Sequence, residues 1–343
     1  MGPISKDMTT DPVPLPDRWG QQTAAPADVD ELIAESRGIL AMPPPLTEIE
    51  RGGTVWKALG PAAGNNSLLA ISHRGIDYVL KIYRSVHSYR VRREWGGLRL
   101  LHERGLHYVP KPCYMSEASG YMSETSAPSL LLMSHIPGDH LGERHLSPVQ
   151  LSALAERIRD LRAITPETLD FPLWPSYADP ARFVAALHAG LESLRALSTT
   201  PERAEARRLL TAWLNGPDPQ ILQSAPASLV FTRGDANLAN CLWDGEQMRL
   251  LDFEGCGWRD PSIDLAFYVE HISSRRTPHE AWLSFVEGFH LADAERLLFR
   301  AAQRRMALSW LVRICAHPES IHSLSEEERL PLLLARAQQV CDD

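Results

Sequence analysis

The stretch Phe231-Thr-Arg-Gly-Asp-Ala-Asn-Leu-Ala-Asn240, followed by Arg249-Leu-Leu-Asp-Phe-Glu254, decides how this 343-residue chain is read. It sets Asp235 and Asn240 in one loop and brings Asp252 to the end of an apolar strand. A carboxylate near an acceptor hydroxyl can orient it, and an amide oxygen with a second carboxylate suits a hard cation such as magnesium. A third stretch, Arg259-Asp-Pro-Ser-Ile-Asp-Leu-Ala266, lies just downstream.

Taken together, the three pieces resemble the aminoglycoside phosphotransferase and choline kinase-like family, the small-molecule branch of the protein-kinase-like fold. That family reads His-Gly-Asp-x-x-x-x-Asn, then Asp-Phe/Trp-Glu/Asp/Gly, then Gly-Asp-Pro-x-x-Asp-Leu-Ala. The resemblance extends over roughly residues 54 to 290. It implies an α+β, two-lobed fold with a β-rich N-lobe carrying one main helix and a larger, mostly helical C-lobe. It also implies ATP or GTP with Mg²⁺, Asp235 as catalytic base, Asn240 and Asp252 as metal ligands, and a hydroxyl-bearing small molecule as acceptor. Family precedent includes antibiotics, choline, sugars and homoserine, so a metabolite kinase stands beside the aminoglycoside reading. A regulatory pseudokinase is disfavoured because the reactive set is present. A protein kinase is disfavoured because no Ala-Pro-Glu segment follows Asp252.

Two positions depart from the pattern. Arg233 stands where the family has His, and it could brace the loop or bring positive charge near phosphate. Arg259 stands where Gly often precedes Asp-Pro. Asp264 is expected to anchor the catalytic loop, and Asp260 to anchor or to bind. Arg233-Gly-Asp235 also spells an adhesion tripeptide, which would require an exposed extracellular loop.

Working outward, residues 1–45 read as a leader, disordered apart from a short helix at 28–40 with Val29, Leu32, Ile33 and Leu40 on one face. Residues 46–136 read as the nucleotide-binding lobe and 137–343 as the helical lobe. Strands are predicted at Thr54–Leu59, Ser67–Ser72, Asp77–Tyr83, Pro112–Ser116 and Leu130–Ser134, with a helix over His87–Arg104 closed by Gly105. Helices follow at 148–163, where Ser147 is an N-cap, and at 180–197, 202–214, 262–273, 279–289, 293–314 and 325–339.

Gly60, Gly64, Asn65, Asn66 and Ser67 form a candidate phosphate cradle, since glycine lets backbone N–H groups approach an anion. Lys81 lies inside an apolar strand, where an unpaired ammonium is costly. Its expected partner is Glu94 on the next helix, with Glu103 as the competitor. Met133, Ser134, His135 and Ile136 are expected to line or hydrogen-bond the purine. Glu254, Asp260 and Glu270, with Glu287, suggest a cationic acceptor drawn by local negative charge.

Composition sets outer bounds. The chain is 44% apolar with a formal charge of −8, which disfavours a nucleic-acid surface. Five widely spaced cysteines form no Cys-x-x-Cys pair, as expected for reduced thiols in the cytoplasm. Neither a secretory segment nor a bilayer-spanning apolar run is expected. Oligomeric state is not encoded in any pattern here.

Overall fold

The computed structural model describes residues 29, 32–36, 48–51, 53–59, 66–83, 89–117, 128–142, 144–166, 180–224, 228–316 and 326–342. These residues fall into two compact units. The first takes the chain to Gly138 and also Arg249–Cys256; the second holds the rest of the described chain.

The first unit is built on a six-stranded sheet. Its strands are β1 (Glu48–Arg51), β2 (Thr54–Ala58), β3 (Asn66–His73), β4 (Ile76–Tyr83), β5 (Pro112–Ser116) and β6 (Ser129–Ser134). They run in the order β1-β2-β3-β4-β6-β5, with antiparallel neighbours throughout. Period-two alternation explains the sorting of side chains between the faces. Trp56, Leu69, Ile71, Leu80, Leu130 and Leu132 form a core on one face, and Val29, Leu32 and Ile33 are buried in it. These three apolar side chains belong to the segment expected as a short helix at 28–40; residues 29 and 32–36 are helical, and the three bury against the sheet. Leu40 and the other residues of 1–45 apart from 29 and 32–36 lie outside the described residues. Lys81 is one residue out of phase with Leu80, so it points to the other face, where Leu131 is its cross-strand partner.

Helix α1 (Tyr89–Glu103) follows β4. Val91, Trp95, Leu98 and Leu101 are buried at helical spacing. Its end is a Schellman turn. Gly105 has φ +76°, its N–H donates to the His102 carbonyl, and the Leu106 N–H reaches back to Leu101. The short, mostly exposed β1 leaves no clear mark in the sequence, because Glu-Ile-Glu-Arg carries one apolar residue.

The second unit is mostly helical. It contains α2 (Pro148–Arg162), α3 (Pro180–Ala196), α4 (Pro201–Asn215), α5 (Asp218–Ser224), α6 (Pro261–Glu270), α7 (His279–Glu287), α8 (Asp293–Ala316) and α9 (Glu326–Asp342). Ser147 caps α2 in a full capping box with Gln150. The 24-residue α8 buries Leu298, Phe299, Ala302, Met306 and Leu311. α3 crosses it closely: a Cβ at Gly190 would lie 2.7 Å from Val312, so only glycine fits there. The predicted 262–273 helix is shorter in the structure. It ends at Glu270, and a 3-10 turn takes Ile272–Ser274. Two small antiparallel pairs complete the unit. β7 (Asp139–His140) pairs with β9 (Cys241–Trp243), and β8 (Val230–Thr232) with β11 (Gly257–Arg259). Among the described residues no helix is long and apolar enough to cross a membrane.

Candidate active site

In the first unit, the polar centre grows from one buried ammonium. Lys81 Nζ lies 2.7 Å from Glu94 Oε2, 2.6 Å from Asp252 Oδ1 and 3.1 Å from Glu254 Oε2. Burial alone would pull its pKa down, but Asp252, Glu94, Tyr83 and Glu254 hold it well above the usual lysine value. Glu94 is 1% exposed. Burial pushes its carboxyl up, against the opposing pull of Lys81. It accepts from Lys81, from the Tyr83 hydroxyl and, through Oε1, from the Phe253 N–H at 3.1 Å. One carboxylate thus ties β4, α1 and the segment after Asp252 together. Glu103, the alternative on the same helix, pairs instead with Arg99 near the surface.

β10 (Met248–Leu250) delivers Asp252 to this centre, and the Leu250 N–H is fixed on the Tyr108 carbonyl. Asp252 has φ +61°, a conformation disfavoured for a residue with a Cβ. The turn sends its carboxylate to Lys81 while the next N–H meets Glu94. Glu254, expected beside the acceptor, is held within this unit by Asn66 Nδ2 at 2.5 Å, Arg90 at 2.6 Å and Lys81. That network engages its charge on the lysine side.

Carboxylate oxygens of Glu94, Asp252 and Glu254 all lie within 4.8 Å of one another. Three acids around Lys81 and Arg90 leave an excess negative charge carried on hard oxygen donors, which fits Mg²⁺. Asp252 is the most open, at 29% side-chain exposure against 1% for Glu94 and 13% for Glu254.

The expected phosphate cradle is only partly described. Gly60, Gly64 and Asn65 lie outside the described residues. Asn66 and Ser67 are strand residues of β3, paired with Tyr83 and Ile82, and not loop residues; the Asn66 amide is given to Glu254. Met133 is buried on β6. The N–H groups of Ser134 and His135 donate to Lys111 and Asp77 carbonyls, so those two donors are already engaged. Ile136 follows them, half-buried, before Gly138.

In the second unit, the Arg233–Asn240 loop orients Asp235. Its Oδ1 accepts from the Asn237 N–H at 3.0 Å and its Oδ2 from Asn240 Nδ2 at 2.7 Å. That second bond turns the Asn240 amide oxygen away from Asp235. Arg233, 1% exposed, donates to the carbonyls of Asp235 and Asn240 at 2.8 Å each and of Asn237 at 3.2 Å. It is a brace: three loop carbonyls converge on one rigid fork. Ser273, which no motif marks, accepts from the Leu238 N–H at 2.9 Å. Arg259 contacts Asp264 and the Gly234 carbonyl, each at 3.4 Å, so Asp264 acts on the loop through this arginine.

Two acids expected near the acceptor do other work. Asp260 is the N-cap of α6, accepting from the Ser262 N–H at 2.8 Å. Glu270 is 1% exposed and enclosed by Arg275, Arg336 and Gln303. Burial alone would raise its pKa, but Arg275 and Arg336 hold it below the usual glutamate value. A carboxylate so enclosed cannot draw a substrate. Glu287 is exposed on α7.

Several solved structures share this fold. A thermostable mutant of aminoglycoside phosphotransferase APH(4)-Ia, in complex with AMP-PNP and hygromycin B, is 15% identical with a TM-score of 0.57. The match covers 92% of this chain and 98% of that one. Spectinomycin phosphotransferase APH(9)-Ia, with ADP and spectinomycin, is 13% identical with a TM-score of 0.57, covering 83% and 93%. A putative fructosamine-3-kinase from Haemophilus somnus 129PT is 15% identical with a TM-score of 0.54, covering 83% and 90%. No curated protein sequence matches the chain. Residues 55–308 match the phosphotransferase enzyme family, and with nearly three quarters of its length inside that match, the chain belongs to this family.

Proposed function

We propose that the protein is a small-molecule kinase that transfers the γ-phosphate of ATP to an alcohol hydroxyl, with Mg²⁺ as the metal. The observation that carries this reading is the Lys81–Glu94–Asp252 constellation, with a buried ammonium 2.7 and 2.6 Å from two carboxylates. The desolvation cost of such a buried charge can exceed the Coulombic return, and kinases use a lysine–glutamate pair of this kind to hold phosphate.

Lys81 would hold phosphate oxygens, positioned by Glu94 and Tyr83. Asp252 would hold Mg²⁺, with Asn240 supplying an amide oxygen; when bound, the ion neutralises charge on the phosphates. Asp235, fixed by Asn237 and Asn240, would orient the acceptor hydroxyl. As the acceptor oxygen bonds to the γ-phosphorus, the bond to the β,γ-bridging oxygen breaks and ADP leaves with that electron pair. The acceptor proton passes to Asp235 and then to solvent. Ile136 and Met133 remain candidates for the purine side. The wide cysteine spacing and the five thiols without a disulfide favour a cytoplasmic location.

ADP release measured with Mg-ATP across hydroxyl acceptors tests the reading. Turnover should appear with at least one acceptor and vanish in Asp252→Ala. Turnover that survives in Asp252→Ala at low Mg²⁺ would overturn the metal assignment. Tight ATP binding without transfer to any acceptor would favour a nucleotide-binding regulator.

A further inference from the structure

In the second unit, Arg305 is a buried cation with no acid beside it among the described residues. Arg305, on α8, lies with its guanidinium carbon 3.9 Å from the centroid of Phe183 and 5.7 Å from that of Phe267. Its recorded polar contact is the Met306 thioether at 2.8 Å, a weak acceptor, and its Nε is buried without a hydrogen-bond partner among the described residues. The nearest charge is a second cation. Arg259 stacks on the same Phe267 ring at 4.4 Å, and its own Nε is also buried and unbonded. Asp264 is already given to Arg259. Burial, and then Arg259, drag the Arg305 pKa down to about 9, a large displacement for an arginine, and no acid among the described residues acts in the other direction.

Other paired arginines of this unit show the contrast. Arg304, the adjacent residue, meets both oxygens of Asp218, and Arg275 and Arg336 share Glu270. A guanidinium with unspent donors beside two phenyl faces is built for a planar anion. Its position ties it to the chemistry. Arg259 bridges from the Phe267 ring to the carbonyl of Gly234, the residue before Asp235.

We propose that Arg305, framed by Phe183 and Phe267, is the anion subsite of the acceptor. The phosphorylated molecule then carries a carboxylate or phosphate ester beside its hydroxyl. This rests on the kinase reading above, and it reverses the expectation of a cationic acceptor. Of the acids behind that expectation, Asp260 is an N-cap, Glu270 is enclosed by arginines, Glu254 is engaged with Lys81, and Glu287 is exposed on α7.

The test uses acceptors matched with and without the anionic group: homoserine against homoserinol, glucuronate against glucose, and glycerol 3-phosphate against glycerol. Transfer from Mg-ATP and binding in the presence of AMP-PNP are both measured. An acid member should be preferred at least tenfold in kcat/KM, through carboxylates or phosphate esters according to which arm responds. Arg305→Met should erase that preference mainly through KM, and Arg305→Lys should restore part of it. Arg305→Met should also melt no lower than wild type, since the methionine packs on both rings and no acid loses its partner. A melting temperature that falls in Arg305→Met, with acceptor preference unchanged, would assign Arg305 to packing and overturn the proposal. Transfer with neutral or cationic acceptors preferred would sink it while leaving the kinase reading intact. Arg305-dependent binding of acids without transfer to any of them would sink the kinase reading alone. Neither binding nor transfer of any acid would also overturn the subsite.

Discussion

Arg233→Lys isolates what the loop gains from an arginine where the family pattern has histidine. The guanidinium donates from three nitrogens to the carbonyls of Asp235, Asn240 and Asn237, at 2.8, 2.8 and 3.2 Å. A single ammonium keeps the charge but cannot span three carbonyls, so it forfeits two of these bonds. Hydrogen bonds to a charged group contribute about 1.5–3 kcal/mol each, which bounds the loss at ~3–6 kcal/mol; relaxation and entering water reduce that to about 2–4 kcal/mol. Urea unfolding should show it as a lower midpoint at unchanged slope. Asp235 takes its direction from Asn237 and Asn240, whose carbonyls are the ones released, so kcat should fall about 10- to 10³-fold. The KM for ATP should hold, because the bonds of Lys81, Glu94, Asp252 and Glu254 lie within the other unit. If Arg233→Lys lost under 1 kcal/mol (about a fivefold change in the folding equilibrium) with normal kcat, or raised the ATP KM more than it lowered kcat, the brace would be refuted.

Asp235→Asn should fold normally and lose about 10²–10⁴-fold in kcat, because the amide cannot take the hydroxyl proton; a change confined to KM removes that role. Glu94→Gln should raise the ATP KM about tenfold, one charge-assisted bond to Lys81 being weakened. Glu103→Gln on the same helix should not change it, and equal effects of the two would count against the pairing. Glu270→Gln should cost about 3–5 kcal/mol at neutral pH, since it strips the carboxylate charge from two buried arginines. The folded pKa of Glu270 is depressed, so its contribution is present above the unfolded glutamate range, about 4.3, and is lost as pH falls through the lower folded value. Melting curves of the two proteins should therefore converge on acidification, and a gap constant with pH would contradict the ion pairing.

Legibility differs from element to element for physical reasons. The central strands are plain in sequence because Leu80, Leu130, Leu132 and Ile71 are buried on both sides of their hydrogen-bonded neighbours. Lys81 stands out because an ammonium in such a strand demands an acid, and α1 offers Glu94 within a turn of its buried face. The φ of +61° at Asp252 has no signature, since no glycine marks it. Tyr83 reads as one more apolar residue of β4, yet its hydroxyl serves Glu94. Arg90, and the bond that Asn66 makes to Glu254, are invisible for a different cause. The bonds of Arg90 and Asn66 to Glu254 span 164 and 188 residues along the chain. Acids are the hardest to place from sequence. Glu270 sits on an apolar helix whose arginine partners come from elsewhere, so its sign could be read and its surroundings could not.

The two departures from the family pattern share one physical logic. Arg233 and Arg259 both aim guanidinium donors at carbonyls of the catalytic loop, the first at Asp235, Asn237 and Asn240, the second at Gly234. Each sits against an aromatic ring, Arg233 over Tyr268 and Arg259 over Phe267. A loop braced this way imports two positive charges into a buried setting, and Asp235 and Asp264 are the acids that offset them. On the proposed reading both acids are then committed, Asp264 to Arg259 and Asp235 to the acceptor hydroxyl. Arg305 comes third to the same Phe267 ring and finds no acid left among the described residues. On that reading a negative group arriving with the acceptor would balance the charge, and the salt dependence should follow. The KM of an acidic acceptor should rise with ionic strength in the wild type and lose that slope in Arg305→Met.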